Sequence, residues 1–417
     1  MSDAADAKPS IEDATPTPPL KSGTLGLMAC ACGLAVGANY FNQPLLHSIG
    51  QSLHIRATGL LVTYAQVSYG VGLLLLTPLG DMLERRLLTL ALMALATLGL
   101  LFSGVSPWLP GAFGWLVAGT VMTGLFSVAA QVLIPMAAGM VSPERSGRAV
   151  GFMMSGLLLG ILLSRTVAGL LSGLWGWNSV YLAAAAAMAV MMALLARKLP
   201  ASRNAGAALS YGQTLLTMTQ LLKTMPRVRS RTLLGAIAFA SVSVMFSTMA
   251  LMLAGPAHRA SDALIGLLGL AGVAGALMAS VTGRLFDRGY AHVVTPSMAL
   301  LLLASWLPLW LGGAHGWAGL AAFIGGMVVI DLALQSGHIT NQNIVYRLAP
   351  QARSRVNAIY MSGYFAGAAI GSAIGALAWA HGGWHGACAA GAVLAALNLA
   401  TVAWDRQLAK RTHPHPG

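Results

Sequence analysis

Four polar side chains, Asp331, Gln335, His338 and Gln342, recur at steps of four, three and four within the apolar run "VVIDLALQSGHITNQNIVY". On a helix this spacing confines them to roughly 60° of one face. A carboxylate and an imidazole on such a stripe can take up and release protons, and the amides beside them can hydrogen-bond a solute. One other apolar run carries a charge, Arg165 in "GLLLGILLSRTVAGLL". An ionisable group away from water costs several kcal/mol unless it is paired or faces a wet cavity. Asp331, His338 and Arg165 are therefore the candidates for proton handling.

These residues sit in a chain that cannot cover itself with polar side chains. It is 57% hydrophobic and 8% charged, with a mean hydropathy of +0.72, against about 25% charged residues in an ordinary soluble domain. Apolar runs of roughly 20 residues recur, each long enough to cross a ~30 Å hydrocarbon core. Twelve candidate spans result, at about 25–47, 58–80, 87–106, 112–140, 149–172, 177–197, 231–254, 262–283, 291–312, 317–348, 356–380 and 384–404. They lack strict polar–apolar alternation and exceed the ~10 residues of a barrel strand, so the expected class is an all-α integral membrane protein.

The net charge of +13 is a matter of topology. Threading the twelve spans puts all but three of the 24 Lys and Arg residues on one side, the exceptions being Arg56, Arg259 and the intramembrane Arg165. The positive-inside rule then predicts both termini in the cytoplasm and no nucleic-acid partner. Residues 1–22 are Pro, Ala and acid rich without the basic start of a signal peptide, and read as a disordered cytoplasmic tail. A six-span bundle is expected over 23–197 and another over 231–405, with a short tail at 406–417. The basic linker 198–230 between them places Leu215, Met218, Leu222 and Met225 at the spacing of an interfacial helix. Cys30, Cys32 and Cys388 lie in spans and read as small packing residues.

The two halves repeat each other. Shifting by 207 positions pairs Pro143 with Pro350, Arg148 with Arg355, Gly156 with Gly363, Gly160 with Gly367, and Gly176-Trp177 with Gly383-Trp384. A shift of 203 aligns "GDMLERR" (Gly80, Asp81, Glu84, Arg85, Arg86) with "GRLFDRG" (Gly283, Asp287, Arg288). Parallel six-helix repeats characterise one class of secondary transporter, with its site between the halves near the midplane. With these two loop motifs, the chain resembles the major facilitator superfamily over residues 25–404. The stretches "NYFNQPLL" and "GHITNQNIVYRLAPQARSRVNAIYMSGYFAG" resemble its bacterial twelve-span drug:H+ antiporter (drug and metabolite efflux) group. Where that group commonly has Gly-Pro in span 5 this chain has Ser164-Arg165, and where many members have an acid in span 1 it has Asn39, Asn42 and Gln43.

The resemblance implies a cavity lined by spans 1, 4, 7 and 10. Polar stripes fall on those spans: Asn39, Asn42 and Gln43 on span 1, Thr123, Ser127 and Gln131 on span 4, Ser243 and Ser247 on span 7, and the Asp331 stripe on span 10. Tyr64 of span 2 and Tyr364 of span 11 are expected at its margins, while Gln335 and Gln342 of the span 10 stripe are expected in its lining. The loop motifs are expected to gate, a carboxylate accepting hydrogen bonds from a neighbouring helix's amides and an Arg to lock the halves in one state. Counting 1.5 Å per residue from the inner helix ends puts Asp331 at about 25 Å and Arg165 at about 24 Å. A pair between them, direct or through water, is expected in at least one conformation, with Asp331 as proton carrier and His338 as relay or substrate contact.

The resulting expectation is proton-coupled efflux of small amphipathic drugs or metabolites, by a monomer in the bacterial inner membrane whose partners are a small-molecule substrate, protons and the bilayer. The alternative is an uptake symporter or facilitator for a small polar solute. A membrane-embedded enzyme is a weaker third reading. No His/Cys/Asp/Glu cluster at metal spacing, phosphate loop or nucleophile elbow occurs in the sequence, and no cofactor is expected.

Overall fold

The computed structural model describes residues 22–55, 57–202, 210–349 and 352–412, and among these it is helical without strands. Residues 1–21 of the expected tail, Arg56, the linker stretch 203–209, residues 350–351 and 413–417 lie outside the described residues. Helix α1 (Ser22–Gly37) passes through a 3-10 turn at Ala38–Tyr40 into α2 (Asn42–Leu53), and α3 (Leu60–Leu75), α4 (Leu79–Met82) and α5 (Arg85–Val105) follow. Next come α6 (Ala112–Phe126), α7 (Ala129–Gly139), α8 (Pro143–Trp175) and α9 (Trp177–Lys198). Helix α10 (Tyr211–Thr224) occupies the linker, where the apolar spacing places it. A capping box between Ser210 and Gln213 starts it.

The second half contains α11 (Pro226–Ala254), α12 (Asp262–Leu268), a 3-10 turn at Gly269–Gly272, α13 (Val273–Asp287), α14 (Ala291–Ala304), α15 (Trp306–Leu311), α16 (Gly316–Leu348) and α17 (Arg353–Thr412). Among the described residues nine helices are long and apolar enough to cross a membrane, and 60–75 and 262–272 are shorter apolar helices. Helix α17 is two arms joined at Gly383, whose φ of 57° only glycine adopts readily. Its repeat partner Gly176, at φ 83°, separates α8 from α9. One Gly-Trp pair therefore turns the chain at the same point of each half.

Small residues set the tightest packing. Helix α1 lies on α8 so closely that a Cβ at Gly160 would strike the Gly33 backbone, and α11 lies on α17 so closely that one at Gly367 would strike the Ala236 backbone. Such approaches replace the hydrophobic drive that lipid withholds with dispersion contact. Gly160 and Gly367 are repeat partners, so the halves share an internal seam as well as a sequence. Cys32 and Cys388 are buried in packing positions, whereas Cys30 is exposed, so only two of the three thiols fill space inside.

Contacts between the halves run through α3 with α17, α8 with α12 and α2 with α11. The polar ones gather at one end of the molecule. Asp262 Oδ2 accepts hydrogen bonds from Ser48 and Ser172, each at 2.6 Å, and Thr166 donates to the Gly266 carbonyl at 3.0 Å. Thr63 and Ser372 share a hydrogen bond of 2.9 Å. This end lies opposite the one that carries Arg85, Arg86, Arg347 and Arg406.

Candidate functional site

The seven-residue α12 and the 3-10 turn behind it present Gly269 and Gly272 to the other half. Arg165 of α8 packs on Gly269, and Asp331 of α16 on Gly272, where a Cβ would lie 3.1 Å from Asp331 Oδ2. The two charges thus face one turn of one helix from opposite halves. Arg165 is 6% and Asp331 5% exposed.

Arg165 is held on several sides. Its Nε donates to Gln43 Oε1 at 2.7 Å, its guanidinium lies 4.1 Å from the ring centre of Phe246, and Tyr40 lies at 5.3 Å. Phe246 belongs to α11, so the cation joins the halves through a desolvated cation–π contact, worth about 2 kcal/mol in such surroundings. No Arg165 nitrogen comes within 4.0 Å of an Asp331 oxygen, although the charges are near enough to interact. Asp331 Oδ2 is buried and has no hydrogen-bond partner. The direct pair is therefore not formed in this conformation, because Gln43 and Phe246 hold the arginine instead.

The rest of the α16 stripe meets α17. His338 Nδ1 lies 3.0 Å from the Tyr360 hydroxyl, and its ring is 4.6 Å from that of Tyr364, which stacks on Phe239 at 4.2 Å. Gln342 donates to Asn357 Oδ1 at 3.0 Å, while Gln335 is half-buried between these groups and Asp331. Tyr64 and Gln131 are half-buried on α3 and α7. Tyr360, one turn before Tyr364, is fully buried against His338.

The span 1 stripe divides. Gln43 reaches Arg165, but Asn42 donates to the Leu61 carbonyl at 3.3 Å and lines, with Asn39, Thr120, Thr123 and Tyr181, a small space inside the first half. Both polar atoms of the Asn39 side chain lack a hydrogen-bond partner. Adjacent residues on a helix point about 100° apart, so Asn42 and Gln43 at the edges of one stripe serve different neighbours. The structure brings Gln43, and not Asn39 or Asn42, to the interface.

The first loop motif is held by capping and clamping hydrogen bonds. The Glu84 carboxylate caps α5, accepting from the Arg86 and Leu87 amides at 2.8 Å each, and takes a third hydrogen bond from the Ser202 amide at 2.9 Å. Burial pushes its pKa up, but these amides and the Arg86 charge outweigh that and hold it below the usual value. Arg85 Nε donates to the Gly80 carbonyl at 2.9 Å and Arg86 to the Ala196 carbonyl. These partners belong to the first half or to the start of the linker, so the described contacts clamp α4, α5 and α9 together. The Asp81 side chain lies outside the described residues. In the second copy Asp287 is 3.9 Å from Arg347 with both side chains largely exposed.

Sequence reading treats Arg227 and Arg231 as loop charges, yet Arg231 is 5% exposed. It ion-pairs with Asp405 at 2.5 Å and donates to Thr295 at 3.0 Å and Asn341 at 3.1 Å, and Ser230 donates to the other Asp405 oxygen at 2.5 Å. This network ties α11, α14, α16 and α17 together. A single Asp directly after the last apolar span is its only sequence signal.

A family model described as Major Facilitator Superfamily matches residues 27–330 and 233–416. The chain belongs to the major facilitator superfamily. Relatives within it include the uncharacterized transporter YgaY of Escherichia coli O157:H7, 46% identical over 92% of this chain and 96% of that one. The probable transporter SCO4007 of Streptomyces coelicolor is 32% identical over 88% and 83%. Among solved structures, a nucleoside transporter NupG mutant superposes with a TM-score of 0.72 at 12% identity, covering 92% of this chain and 99% of that one. A POT family transporter in complex with 5-aminolevulinic acid gives 0.73 at 14% identity, over 92% and 96%. At such identities the likeness is one of fold. As a member of this superfamily the chain is a multi-pass transporter of the bacterial inner membrane.

Proposed function

We propose that this major facilitator protein is a proton-coupled exporter of small amphipathic solutes, in which Asp331 carries the proton. Asp331 Oδ2 supports this most: it is a buried carboxylate oxygen with no hydrogen-bond donor, across from a cation that the opposite half supplies. An unpaired carboxylate away from water favours its protonated form, and an approaching cation favours the ionised one. Rocking the halves changes the Arg165–Asp331 separation, because Gln43 fixes the arginine to the first half and α16 carries the acid with the second. A proton is then bound in one state and released in the other. That difference is what coupling requires.

In this reading the chain crosses the membrane twelve times with both termini in the cytoplasm. The shorter helices 60–75 and 262–272 count as crossings and α17 as two. The closed end with Asp262 then faces outward. The aromatic group of Phe239, Tyr364 and Tyr360 beside His338 and Gln335 suits a solute with one apolar and one hydrogen-bonding side. Uptake by symport or facilitation is the second reading, favoured by the amides of span 1 where an acid would stand.

The test uses proteoliposomes and a solute found by screening for efflux that depends on this protein. Asp331→Asn is expected to abolish accumulation driven by a proton gradient while counterflow exchange persists. Accumulation against a gradient by Asp331→Asn would show that the proton is carried elsewhere. The direction of wild-type transport under an imposed gradient separates export from uptake.

A further inference from the structure

At the arginine-rich end of the second half, the ends of α11, α14, α16 and α17 enclose a cavity of about 420 Å³. Four arginines line it, Arg227, Arg231, Arg347 and Arg406, against one carboxylate, Asp405, which Arg231 already pairs with. The Nε atoms of Arg227 and Arg231 are buried and have no hydrogen-bond partner. Arg347 is positioned by Phe286, whose ring centre lies 4.2 Å from its guanidinium, and Arg406 by the His292 carbonyl at 3.2 Å. Guanidinium groups held this way present paired donors that match phosphate oxygens.

Beside the cavity, and sharing Arg406 with it, runs a groove of about 360 Å³ between α14 and α17. Its walls are Pro296, Leu399, Val402 and Ala403, with Lys410 at the charged end. A small anion accounts for the cavity alone. A molecule with a phosphate and a hydrocarbon chain accounts for both.

We propose that this cavity holds the phosphate headgroup of an anionic glycerophospholipid from the adjoining leaflet, with an acyl chain in the neighbouring groove. Basic pockets between helix ends at an anionic leaflet are suited to such headgroups. The site is separate from the Arg165–Asp331 region and does not depend on what is transported.

The experiment is native mass spectrometry of the full-length protein in neutral detergent, together with thermal unfolding. Dioleoyl phosphatidylglycerol, dioleoyl phosphatidylcholine and inorganic phosphate are each titrated. Phosphatidylglycerol is expected to stay bound and to raise the unfolding temperature, while the other two do neither. Arg347→Gln with Arg406→Gln removes two exposed guanidinium groups outside the Arg231–Asp405 pair. It is expected to weaken the adduct about 25-fold, about fivefold for each basic residue at an anionic surface. Arg145→Gln with Arg148→Gln, an equal charge change on exposed positions of the first half, is expected to leave the adduct unchanged. Equal losses in the two double variants would overturn the proposal in favour of general surface charge. Equal retention of phosphatidylcholine would overturn it by removing the need for an anion, and stabilisation by inorganic phosphate alone would assign the cavity to a free anion.

Discussion

Replacing Asp405 by Leu isolates the energetics of the buried network in the second half. Asp405 is 1% exposed and accepts hydrogen bonds from Ser230 and Arg231, with Arg227 at 3.6 Å. Asp405→Leu leaves the Arg231 charge with two neutral acceptors, Thr295 and Asn341. Breaking a buried pair from one side costs about 3–5 kcal/mol. The adjoining cavity gives the stranded guanidinium a route to water, which favours the lower end, about 3 kcal/mol. For a unit the size of one half this is a fall of roughly 6–12 °C in Tm. Replacing both partners, Arg231→Met with Asp405→Leu, removes the desolvated charges together and is expected to recover all but about 1 kcal/mol. Thermal unfolding followed by tryptophan fluorescence in detergent reads both variants. If the single Asp405 variant and the double variant unfold at the same temperature, the two charges are not energetically coupled and the reasoning fails.

Three further outcomes follow from the packing and the loop motifs. Gly160→Val places a branched side chain against the Gly33 backbone, which cannot give way, and is expected to remove folded protein from the membrane, whereas Gly337→Ala, with open space at its Cβ, is expected to be neutral; membrane abundance on a blot compares them. Glu84 has a folded-state pKa below its usual 4.5, so its stabilisation is complete above that value and is lost as pH falls through the depressed one. Protection of the Arg86, Leu87 and Ser202 amides, read as exchange relative to the intrinsic rate at each pH, is expected to fall as pH drops through that depressed value, and Glu84→Gln should show weaker protection already at neutral pH. Asp262→Ala deletes the acceptor of two hydrogen bonds between the halves, each worth about 1.5–3 kcal/mol to a charged group. A membrane-impermeant thiol reagent added outside is then expected to label Gln335→Cys, in a background free of the native cysteines, faster than with Asp262 in place; unchanged labelling would show that these bonds do not hold the end closed.

The sequence determines that this is an all-helical membrane chain of two related halves, because hydropathy and repeat spacing are local properties that survive without coordinates. It also marks Asp331, His338 and Arg165, since a charge in a long apolar run stands out whatever surrounds it. The Gly-Trp turns and the glycine seams of the two halves are legible for the same reason, as each recurs at one fixed shift. Tertiary structure decides what those charges meet. Gln43 takes Arg165 while Asn39 and Asn42 turn inward, a choice set by helix rotation that a shared stripe leaves open. Arg231 looks like a loop charge in one dimension and becomes a buried ion pair only when Asp405, at the far end of the chain, is folded against it. Hydropathy records how far a residue lies from water along the chain, whereas pairing depends on which neighbour the packing brings within a few ångströms.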